Sequence, residues 1–141
     1  MKRNRLISPE NYDFALLGIV VRMKEYSLAW HLNLSPFFNF SKSEDIRIAY
    51  LDHSEIQISN YICKSDQHIY TLLKNKLNTE ESVNGFLLPE LSHFDFFLKL
   101  QSDVDNFNLE EIIDVIKKID KIEYLASLDI NKIKNKENVL H

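Results

Sequence analysis

Residues 86–100 read FLLPELSHFDFFLKL, a proline corner followed by an alternating apolar run. Proline fixes φ at residue 89 and keeps Leu88 out of the α region, so the chain approaches in extended form and turns. Beyond the turn, Phe94, Phe96, Leu98 and Leu100 point one way and Asp95, Phe97, Lys99 and Gln101 the other, the period-two pattern of a half-buried strand. Two acids frame the corner, Glu90 and Asp95. General acid–base work by such a pair needs a concave site and a third group. The sequence supplies neither, so the expectation is a structural corner in which Glu90 accepts backbone N–H groups at the turn.

Working outward, residues 12–21, YDFALLGIVV, are apolar on both alternating faces, as in a central strand covered on both sides. Tyr26, Ala29, Trp30 and Asn33 share one side at helical spacing and predict a helix over 24–34, ended by Pro36. Strands are predicted from Asp45 to Leu51, over 55–63 and over 68–77, with a turn at Asp52-His53-Ser54 and a polar loop, NTEESVNG, closing the meander. Asn108, three residues before Glu111, caps a helix carrying Leu109, Ile112, Ile113, Ile116 and Ile119. A last strand covers 122–128. The fold expected is a single α+β domain over residues 1–141. Its sheet is mostly antiparallel with two helices on one face, a ferredoxin-like sandwich with an enlarged central meander. YDF at 12–14 and FDF at 94–96 echo one another. In such a sandwich the two strands they open would run parallel and side by side, bringing Asp13 and Asp95 together as a carboxylate pair.

The 141 residues are 45% hydrophobic and 27% charged, a globular composition able to bury about 70% of the unfolded surface. One cysteine, Cys63, allows no internal disulfide and no multi-cysteine metal site. The histidines at 31, 53, 68, 93 and 141 form no HxxxH or HExxH spacing, and His93 with Asp95 is the nearest approach to a metal pair. Neither a metal nor another cofactor is expected. The two glycines, Gly18 and Gly85, lie far apart, which excludes a glycine-rich phosphate loop. No apolar run reaches membrane-spanning length and no secretory leader is evident, so a cytoplasmic location without membrane contact is expected. The net charge of −4 does not favour a broad phosphate-binding surface.

Leu88, Pro89 and Glu90, followed by Asp95 and Phe96, resemble the motif of the IPExxxDY family of small bacterial proteins. Leu88 stands for isoleucine, Phe96 for tyrosine, and four residues separate the acids instead of three. The likeness extends to YDFALLGI, EYSLAWHLN and the terminal LDINKIKNKENVL. The family has no established activity, so the resemblance implies a class and no catalytic residues.

Function is expected to lie in binding. With Phe14, Leu16 and Gly18 assigned to the helix side, Ala15, Leu17, Ile19 and Val21 fall on the opposite face, and something must cover them. The surface candidates are Leu17, Ile19, Val21, Phe97 and Trp30, with Phe37 and Phe38 as further anchors. Through this face or an edge strand the chain would self-associate or dock on a protein. An RNA-associated role is the alternative, with Phe97 beside Lys99 and Tyr61 beside Lys64 as the aromatic–basic elements of an open sheet.

Overall fold

The structure, a computed structural model, describes residues 14–49, 55–77, 85–102 and 108–140. Asp13 therefore lies outside the described residues, as do the turn at 52–54 and most of the loop after residue 77.

Among the described residues, eight strands and two α-helices follow one another along the chain. They are β1 (Phe14–Val21), α1 (Glu25–Asn33), β2 (Ser41–Lys42), β3 (Ile46–Ala49), β4 (Glu55–Ile58), β5 (Asn60–Lys64), β6 (His68–Lys74), β7 (Phe96–Ser102), α2 (Leu109–Lys117) and β8 (Ile122–Leu128). Six strands form an antiparallel sheet in the order β2-β5-β6-β7-β1-β8, and β3 pairs with β4 in a separate hairpin. This is the expected α+β class. The two strands opening each half are neighbours, but they are antiparallel: Phe14 faces Gln101 and Ile19 faces Phe96. The parallel pairing of a ferredoxin-like sandwich, on which the Asp13–Asp95 pair depended, is absent. Asp95 sits instead beside Val21, at the end of β1 remote from Phe14.

Both helices cover one face. Leu17, Ile19 and Val21 of β1 and Phe96, Leu98 and Leu100 of β7 pack with Leu28, Ala29 and Leu32 of α1 and Ile112 and Ile116 of α2. Each fully buried Leu or Ile contributes about 1.5–3 kcal/mol, so α2 is anchored by two residues and by its cap, where Asn108 Oδ1 accepts from the Glu111 N–H at 3.1 Å. The other face carries Leu16, Leu73 and Phe97 and is closed by the β3–β4 hairpin, by Leu87 and Leu88 of the corner, and by Ile130, Ile133 and Val139 of the terminal segment. The facing expected for β1 is thus reversed, and the apolar surplus is covered within the chain. Nor is β7 half-buried: Phe97 and Lys99 are buried as deeply as the residues alternating with them.

The meander also departs from expectation at Ser59, where the stretch 55–63 divides between hairpin and sheet. A buried polar pair makes the crossing: Asn60 Nδ2 donates to the Glu44 carbonyl at 2.8 Å, and the Ser59 hydroxyl donates to Glu25 Oε1 at 2.6 Å.

Candidate interaction surface

At the corner, Leu88 is extended at φ −125°, and Pro89–Leu91 form a single 3-10 turn with proline at its start. Asn75, fully buried at the end of β6, organises it. Its side-chain N–H₂ donates to the carbonyls of Leu91 and Phe94 at 3.0 and 2.9 Å, and its Oδ1 accepts from the Leu88 N–H at 3.0 Å. Glu90 accepts from the backbone N–H groups of Lys134 and Asn135 at 2.8 and 3.3 Å. Asp95 accepts from the Val21 N–H at 2.8 Å. Both acids thus serve as backbone acceptors, one holding the terminal segment and the other ending β1. Glu90 does take backbone N–H groups, but not those of the turn as expected: they come from a segment 44 residues further on. Asn138 Nδ2 donates to the Leu87 carbonyl at 2.8 Å and completes the clamp.

The other singled-out residues are also structural. Leu17, Ile19, Val21 and Phe97 are core and offer no surface. Phe38 is buried as well, stacked on Phe40 at 5.3 Å between ring centres. The Lys99 ammonium lies 4.5 Å from the Phe14 ring centre, and burial lowers its pKa. The pairing of Phe97 with Lys99 therefore provides no open RNA platform. Tyr61 is half-buried beneath α1, its pKa raised by burial and then by Glu25 and Tyr26. Cys63 Sγ accepts from the Asn39 N–H at 3.3 Å. His93 is exposed and its ring contacts Phe94 at 4.3 Å. Among the described residues no three His, Cys, Asp or Glu side chains converge as metal ligands.

The sheet edges are short or guarded. β2 is two residues long. In β8 the register slips between Val20 and Val21 so that Glu123 is an extra residue, and its carboxylate lies 3.6 Å from Arg22. A bulge and a charge both discourage strand addition.

Tyr124, Ile69 and Leu140 are exposed on separate elements, and the one exposed apolar stripe along a helix of the described residues is the outer side of α1. Leu28, Ala29 and Leu32 point inward, while Tyr26, Trp30 and Leu34, spaced by four, are 63%, 60% and 67% exposed. Of the side shared by Tyr26, Ala29, Trp30 and Asn33, Ala29 turns into the core while Tyr26 and Trp30 stay exposed, as suits Trp30's place among the surface candidates. Asn33 locks the helix end, exchanging two hydrogen bonds with the backbone of Phe40 at 2.9 and 2.6 Å. Beside the exposed stripe, the C-terminal ends of the two helices border a groove of about 440 Å³ lined by His31, Leu32, Leu34, Ser35, Val115, Lys118, Ile119, Asp120 and Lys121. His31 Nδ1 lies 2.8 Å from the Ser27 carbonyl, to which an Nδ1–H donates. Neither Lys118 nor Lys121 enters an ion pair among the described residues. Sequence reasoning named Trp30 but missed Leu34 and the groove. The spacing of Tyr26, Trp30 and Leu34 was the available signal; the groove depends on where two distant helices end.

No helix among the described residues is long and apolar enough to cross a membrane. Compared with known protein families, with curated proteins and with solved structures, the chain finds no match.

Proposed function

We propose that the chain is a non-enzymatic, cytoplasmic binding module of the IPExxxDY class that docks a protein partner on the outer side of α1. The observation that carries this reading is the exposure of Tyr26, Trp30 and Leu34 as one stripe beside the groove. Aromatic anchors next to a pocket are the usual energetic centre of an interface. The sheet faces are closed by the chain itself and the edges are guarded, which argues against docking there.

Self-association through this stripe is the weaker form of the reading. An aromatic side chain carries roughly 150–250 Å² of contact surface, so three residues about two-thirds exposed offer on the order of 300–400 Å². A stable interface needs about 800 Å² per partner. A different protein, reaching the groove as well, fits better.

The test is capture from the native cell with the wild-type chain and with a Trp30→Ala/Leu34→Ser variant of equal stability. Proteins retained by the first and lost by the second support the reading. Identical captured sets, together with a strictly monomeric mass in sedimentation, count against it.

A further inference from the structure

We draw no further inference here: the strongest candidate, the groove between the C-terminal ends of α1 and α2 beside the exposed stripe of Tyr26, Trp30 and Leu34, belongs to the surface already proposed for docking, and nothing in the structure shows the chemistry of what covers it.

Discussion

Replacing Gly18 by alanine puts a methyl group where Phe94 already lies. A Cβ built on Gly18 would stand 2.6, 2.7 and 2.9 Å from three carbons of that ring. Ordinary carbon contacts start near 3.5 Å, so the ring must retreat by about 0.9 Å. Its freedom to do so is small. Phe94 is 3% exposed and contacts the rings of Phe97 and Tyr124 at 5.9 and 6.1 Å between centres. Its backbone is held on both sides, by its N–H to the Leu91 carbonyl at 3.1 Å and by its own carbonyl from Asn75 at 2.9 Å. Overpacking of this kind costs about 1–3 kcal/mol, against which the removal of glycine's extra freedom in the unfolded chain returns about 0.4–1 kcal/mol. Gly18→Ala should therefore lose about 1–2 kcal/mol. Chemical denaturation followed by circular dichroism is the assay, since the sole tryptophan is already exposed and reports unfolding weakly. In a Phe94→Leu background the same change should be neutral or stabilising, giving a coupling of about 1 kcal/mol or more. A neutral Gly18→Ala in the wild-type background would refute the close approach of ring and strand.

Asn75→Ala should cost about 3 kcal/mol or more in the same assay, because the Leu91 and Phe94 carbonyls and the Leu88 N–H lose their buried partner. Glu90→Gln, at a solvent-exposed clamp, should cost about 0.5–1.5 kcal/mol and speed hydrogen exchange at the Lys134 amide without touching that of Glu111; unchanged exchange at residue 134 would remove the clamp. Trp30→Ala should change stability by less than about 0.5 kcal/mol, as fits a surface residue; a larger loss would make Trp30 part of the core. Tyr61 has its folded pKa raised above 10.0, so its contribution is fully present below that pH and lost as pH rises through the folded value. Tyr61→Phe should therefore flatten the loss of stability above about pH 10, measured by denaturation across the alkaline range.

The legible parts of the fold were those encoded within one segment. Asn108 and the isoleucines behind it specify α2 because cap and period lie within a dozen residues. Pro89 announces the corner for the same reason. The facing of β1 could not be read this way: all residues from Phe14 to Val21 are apolar or glycine, so the alternation is silent about which side meets the helices. Direction between β1 and β7 was equally hidden, since YDF and FDF look alike whichever way the strands run. Phe94 illustrates the limit most clearly. By alternation it belongs with Phe96, yet it precedes the regular strand and lies over the opposite face, where Gly18 leaves room for it. Asn75, the most connected polar residue of the corner, stands in a stretch, KNKLN, that reads as an ordinary loop entry.

The two carboxylates and the exposed helix are linked by how the chain covers its own sheet. Among the described residues no helix of α1 or α2 length closes the face opposite α1 and α2, so closure falls to the β3–β4 hairpin, the corner and the terminal segment. Such a segment stays only if its backbone is tied down. Glu90 and Asn138 tie it to the corner, and Asn75 ties the corner to β6. The polar residues that chemistry would need are therefore engaged in holding the lid of the core. On the helix-covered face the helices need no such ties, because Leu28, Leu32, Ile112 and Ile116 insert directly. Their outer sides are left free of structural duty, and it is there that Trp30 stands exposed. A partner bound at that side would contact α1 and the end of α2 alone. Binding should therefore protect amides of 25–35 and 115–121 in hydrogen exchange while those of 87–95 and 130–139 keep their free-state rates. Protection that spreads to the corner would place the docking surface on the face opposite the helices and refute this division of the molecule.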